Sequence, residues 1–135
     1  MLIHLQIRDL AIIDAVELEL GAGLTALTGE TGAGKSILVD AVLLALGGRA
    51  GADLLRHGAE RAEVTATFDL RGNTAARAWL EEQALADDAE ELVLRRVIGA
   101  DGRSRQYVNG QTLPAQAVRA LGDTLIEIHG QQEYL

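Results

Sequence analysis

At 135 residues the chain is one ordinary domain or a part of a larger one, and 48 % hydrophobic residues suffice for a core. With no cysteine and three scattered histidines (His4, His57 and His129), disulfides and thiolate metal sites are excluded and a zinc site has no basis. A formal net charge of −8 opposes attraction of nucleic acid to the whole surface, so any such contact must be local. The N-terminus, MLIHLQIRDL, has neither the basic flank nor the apolar stretch of a signal peptide. The longest apolar run, in SILVDAVLLALGG, is broken by Asp40 and falls short of the roughly 20 residues of a membrane span. A cytoplasmic location is the default.

In chain order, Ile3, Leu5 and Ile7 alternate with His4, Gln6 and Arg8, and Val16, Leu18 and Leu20 alternate with Glu17 and Glu19. Period two predicts a half-buried strand in each. LTALT (24–28) reads as a short strand running into a glycine-rich stretch, followed by a helix from about Gly34 to Leu46 with apolar residues around its circumference. Such a helix must be buried on most sides, and Gly47 and Gly48 end it. VTATFDL (64–70) is another strand. Asn73 can cap a helix reaching about Ala86, with Ala76, Leu80 and Trp79 inward. ELVLRRVI and RSRQYVNG form a hairpin across GADG, Pro114 opens a helix through Leu121 that Gly122 stops, and TLIEI (124–128) is the last strand. There is no repeat, low-complexity segment or linker.

The chemistry lies in GETGAGKS, which matches GxxxxGK[ST] at Gly29, Gly34, Lys35 and Ser36. The glycines (Gly29, Gly32, Gly34) let the backbone of Gly29 to Ser36, with Glu30, Thr31 and Ala33 between them, turn successive N–H groups inward onto phosphate oxygens. The helix that follows, from Gly34 into Ile37, adds its N-terminal dipole. Lys35 would reach the β- and γ-phosphates and Ser36 would ligate Mg²⁺. A chance match in so glycine-rich a chain is the competing reading. Four fixed positions arise on the order of once in a hundred such chains, and a strand before and a helix after make chance rarer still. The strand-ending acid that would complete a hydrolytic site is missing: FDL at 68–70 and IEIHG at 126–130 lack the pattern, and no NKxD tetrapeptide reads guanine.

Taken together, LIHLQIRDLAIIDAVELEL, LTALTGETGAGKSILVDAVLLALGGRA and GRSRQYVNGQTLPAQAVRALGDTLIEIHGQQ resemble the N-terminal head segment of the RecN family of DNA repair proteins, in the SMC group of ABC-type ATPases. The resemblance covers essentially the whole chain, and the YVNG turn and terminal IHGQ make it more specific than the phosphate-loop motif alone. It implies an α/β fold: the lobe of a P-loop NTPase head of ABC/SMC type, with an antiparallel strand-rich region and a mixed sheet flanked by helices. Residues 1–135 would run from Walker A to the Q-loop, with coiled coil and the signature and Walker B half of the head elsewhere.

On the same resemblance, ATP and Mg²⁺ are the cofactors and Gln131 is the Q-loop glutamine that contacts Mg²⁺ or the attacking water; Gln132 departs from the histidine common at the next position. Arg56 lies near the arginine that lines the nucleotide or couples it to DNA, with Arg49 competing and a solvated loop charge the bland alternative. The partners implied are the C-terminal half of the same head, a second head in an ATP sandwich, and DNA in a nucleoid-associated setting, with action in double-strand break repair and recombination. From the residues themselves, Arg95, Arg96, Arg103 and Arg105 could place guanidinium groups on one surface toward DNA phosphates, although most charged hairpins are merely solvated. Two other readings stay open. A self-contained P-loop kinase would need its own metal-binding acid and lid. A non-catalytic module would use nucleotide only to stabilise an interface.

Overall fold

The computed structural model describes residues 2–19, 32–85 and 90–126, the side chains of 32–36 and 126 excepted. The elements run β1 (Leu2–Leu10), β2 (Ile13–Glu19), α1 (Gly32–Ala45), a single 3-10 turn (Ala52–Leu54), β3 (Arg61–Asp69), α2 (Thr74–Glu82), β4 (Glu91–Gly99), β5 (Ser104–Val108), β6 (Gln111–Leu113) and α3 (Ala115–Ile126). The six strands form one sheet in the order β2-β1-β3-β4-β5-β6. Each of the five pairings is antiparallel. This is the expected antiparallel strand-rich region flanked by helices; the strand expected at 24–28 lies outside the described residues.

The core lies between one face of the sheet and the helices. Period-two alternation points Leu5, Ile7, Val64, Ala66, Phe68, Leu92, Leu94 and Ile98 to that face, where each is at most 3 % exposed. From the helices come Leu38, Ala41, Val42 and Ala45 of α1, Ala76 and Leu80 of α2, and Val118 and Leu121 of α3. At the start of β1 the register shifts between Leu2 and His4, so Leu2 shares the buried side with Leu5 and Ile3 does not. At its other end, Asp9 and Ala11 both take positive φ (52° each) around the two-residue turn to β2. Ala11 in that conformation is strained by roughly 1 kcal/mol. Hydrogen bonds from Ala11 N to Leu54 O and from Arg56 N to Asp9 O, 2.8 Å each, hold it there.

Asn73 caps α2 as expected, its Oδ1 accepting from Ala76 N at 3.0 Å. The helix ends at Glu82, short of Ala86, because Ala84 turns to φ 58° and returns the buried Leu85 to the core, with Leu85 N donating to Leu80 O. The GADG hairpin is present between β4 and β5. Asn109 and Gly110, at φ 48° and 86°, form a second tight turn into β6. The Asn109 side chain accepts from Val93 N and donates to Leu85 O, 3.0 Å each, tying that turn to β4 and to the end of α2.

One expectation is overturned at the C-terminal end. Gly122 does not stop a helix, and Thr124–Ile126 are not strand: α3 runs through both. Gly122 is buried against the end of α1, where a Cβ would lie at ordinary contact distance, 3.4 Å from Leu46 O and 3.5 Å from its side chain. The last turn is tied to α2 by Asn73 Nδ2 donating to Thr124 O at 3.0 Å. Tertiary contact outweighs the local stop signal.

Candidate nucleotide-binding site

The start of α1 lies inside the glycine-rich motif. Gly29, Glu30 and Thr31 fall outside the described residues, while the backbone from Gly32 through Ser36 is already helical. The N–H groups of Gly32 to Lys35 therefore have no partner within the helix, and the first turn carries no acidic residue. Free donors, the positive end of a dipole and no carboxylate in the first turn fit a phosphate polyanion. Among the described residues no group of three or more His, Cys, Asp or Glu could hold a metal on its own. A magnesium ion would instead take hard oxygens from the phosphates and the Ser36 hydroxyl, a donor set that suits it. Ile37, the next residue, is half-buried and lines an apolar cavity of about 550 Å³ together with Leu43, Leu46, Leu54 and Arg49. Arg56 does not line this cavity; it is exposed and fixed by its backbone to Asp9 at the β1–β2 turn. Gln131 lies outside the described residues.

The other end of α1 is closed by more contacts than Gly47 and Gly48 alone supply. Gly48 N donates to Leu43 O at 2.9 Å and Gly47 N to Leu44 O at 3.1 Å, with Gly47 at φ 97°. This is a Schellman closure. Around it converge three side chains from other elements. Arg96 of β4 donates from Nη1 to Leu44 O (2.9 Å) and Gly48 O (2.8 Å); Gln106 of β5 donates to Ala45 O (2.9 Å); Arg119 of α3 donates to Gly47 O (3.0 Å). Two guanidinium groups thus meet the negative end of the helix dipole, where cations are stabilising. Burial lowers the Arg96 pKa from its ordinary value, and the nearby charge of Arg119 pushes the same way. An arginine stays protonated regardless.

Arg96 corrects the expectation that the hairpin arginines share one surface. It is 4 % exposed and faces the helices, while its neighbour Arg95 faces the other way, bonded to Glu63 at 2.6 Å and lying 5.1 Å from the Tyr107 ring centroid. The Glu63 hydrogen bond raises the Arg95 pKa. The signal was available in the pattern Leu92, Leu94, Arg96, Ile98, which places Arg96 on the apolar face.

The open face carries a different set of cations. Arg8, Glu63, Val97 and Arg105 stand opposite one another across four strands, with Arg61 beside Glu63 along β3. Gln6, Arg8, Asp9, Arg61, Glu63 and Thr65 enclose a polar depression of about 370 Å³. Arg103 is at the hairpin tip, its side chain 90 % exposed and 3.8 Å from Asp101.

A family model described as an AAA domain matches residues 4–129. The chain is similar to the DNA repair proteins RecN of Vibrio cholerae (47 % identical over 99 % of this chain) and Bacillus subtilis (39 % over 98 %). It spans about a quarter of the length of these relatives, 24 % and 23 %. A solved chain from work on ATP-driven dimerisation and DNA-stimulated activation of SMC ATPases superposes with a TM-score of 0.67 at 25 % identity, covering 91 % of this chain and 78 % of that one. The SMC head of Pyrococcus furiosus, solved with a domain of ScpA, gives 0.65 at 22 % identity over 93 % of this chain and 33 % of that one, which shows the shared fold.

Proposed function

The chain belongs to the AAA-domain family and matches RecN DNA repair proteins over almost its whole length, and from that premise we propose that it is the ATP-binding part of an SMC-like ATPase head acting in DNA double-strand break repair and recombination. The observation that carries the reading is the start of α1 within GETGAGKS, a glycine motif opening directly into a helix buried on most sides.

In this reading Gly29 to Ser36 bind the triphosphate of ATP through backbone N–H groups, with Ile37 just behind them. Lys35 would hold the β- and γ-phosphates, and Ser36 and Gln131 would supply oxygens to the metal. Magnesium, when bound, neutralises phosphate charge and fixes the geometry of the transferred group. Arg56 or Arg49 lines the nucleotide or couples it to DNA; of the two, Arg49 shares a cavity with Ile37. Residues 1–135 run from Walker A to the Q-loop, and the acid that completes hydrolysis comes from the C-terminal half of the same head. The relatives' greater length supports this. A second head would close over the nucleotide, as ATP-driven dimerisation is associated with the solved SMC ATPase.

The test separates this split site from a self-contained P-loop kinase. The complete protein is expected to hydrolyse ATP over many turnovers, and the 135-residue segment, folded by circular dichroism, to bind ATP weakly with no turnover. Sustained hydrolysis or phosphoryl transfer by the segment alone would refute the split site.

DNA contact is proposed for the open face of the sheet, where Arg8, Arg61 and Arg105 stand around Glu63 on a chain of net charge −8. Replacing all three by glutamine in the complete protein should flatten the slope of log affinity against log salt by about 2 to 3, since each phosphate contact contributes roughly 0.9. An unchanged slope in a filter-binding titration would remove this face from the interface. Among the described residues no helix is long and apolar enough to cross a membrane.

A further inference from the structure

Arg96 is a charged side chain, 4 % exposed, on a strand face otherwise made of Leu92, Leu94 and Ile98. Its recorded partners among the described residues are neutral oxygens: the carbonyls of Leu44 and Gly48 and the hydroxyl of Ser104, at 2.8 to 3.3 Å. An apolar side chain of similar length would fill this place with less desolvation, so what the guanidinium adds is direction. Its Nη1 donates to one carbonyl within the last turn of α1 and to one beyond it, at Gly48, while Nε and Nη2 are held by Ser104 across the hairpin. Gln106, 2 % exposed, extends the same grip to Ala45 O.

A helix moves as a rigid rod. At about 1.5 Å per residue α1 is on the order of 20 Å long, and a shift or tilt at its C-terminal end is carried to the glycine-rich turn at the other. We propose that Arg96 is a positioning residue for the nucleotide site: by holding the C-terminal carbonyls of α1 it sets where the phosphate-binding end of that helix stands relative to the β4–β5 hairpin. This rests on the ATP-binding reading above. It also makes the hairpin a lever, since Ser104 and Arg105 are neighbours and a load on the exposed arginine passes through Arg96 to the helix.

The experiment compares R96M, R96K and L94A in the complete protein, at a temperature where circular dichroism shows all three folded. Leu94 is fully buried on the same strand, so L94A reports the loss of core stability without touching the carbonyls of α1. R96M is expected to weaken MgATP binding on the order of ten-fold, as small misplacements of a binding group do. R96K should fall between wild type and R96M, because an ammonium can still donate to the carbonyls but gives up the Ser104 contacts, and L94A should bind as wild type. Hydrogen exchange gives a readout that needs no nucleotide: amides of Leu38 to Ala45 should exchange on the order of ten-fold faster in R96M than in L94A. Wild-type affinity in folded R96M, or equal loss in L94A, overturns the positioning role. If the wild-type protein itself binds no ATP, the functional reading fails, and the exchange comparison alone then decides whether Arg96 anchors the helix.

Discussion

Lys35→Ala in the complete protein is expected to abolish ATP-dependent head association and to lower the turnover number by about 100-fold or more. The reason is electrostatic. The amides of Gly32 to Lys35 and the dipole of α1 can hold a phosphate without the side chain, so nucleotide affinity should fall less than the rate. The ammonium contributes where charge builds on the β- and γ-phosphates, and groups that stabilise such charge in a water-poor site are worth factors of roughly 10² to 10³. Size-exclusion chromatography with light scattering, with and without ATP, reads association; phosphate release reads turnover. Retained ATP-dependent association in K35A would sink the head-engagement reading and favour a module whose nucleotide serves only as a structural ligand.

Gly47→Ala should be among the most destabilising small substitutions available in this chain, by about 3 kcal/mol. Two effects add. Gly47 stands at φ 97°, where an L side chain is strained by roughly 1 to 2 kcal/mol. A Cβ there would also lie 2.8 Å from Ala115 O and 3.0 Å from Arg119 N, both backbone atoms that move only if α3 moves. Gly58 supplies the control, with φ 85° and nothing within 4 Å of the added carbon, so Gly58→Ala carries only the conformational part. Thermal denaturation should place G47A on the order of 10 °C below wild type, with G58A losing less than half of that. Equal losses would mean that the contact between the end of α1 and α3 contributes nothing. Because the same closure is held by Arg96, Gln106 and Arg119, G47A should also loosen the nucleotide site.

Much of the local structure was legible in the residues, for physical reasons that operate within a few positions. Alternation of Val64, Ala66 and Phe68 with Thr65 and Thr67 specifies a strand with one wet face, and Asn73 and Gly47 mark helix ends because capping chemistry is local. The Asn-Gly pair at 109–110 was equally readable as a hairpin turn into β6, a strand that the reading above did not separate. Errors arose where a distant contact decided the outcome. Gly122 looked like a helix stop, but it packs against Leu46 at the end of α1 and the helix continues. The four hairpin arginines are a different case: they were grouped as one cluster although the alternation of Leu92, Leu94, Arg96 and Ile98 already puts Arg96 on the apolar face.

By itself the sequence determined the phosphate-binding motif, the helix that follows it and the family resemblance, since these depend on residue identity at fixed short spacings. It also contains no run of four apolar residues ending in Asp-Glu, the pattern by which a strand-ending acid would have been recognised. Only the tertiary structure decided what holds the far end of that helix. Arg96, Gln106 and Arg119 come from two strands and another helix, 48 to 72 residues away from the carbonyls of Leu44 to Gly48 that they bond. Capping by side chains so remote in sequence leaves no local signature, because each donor meets its acceptor only after the sheet and the helices have packed.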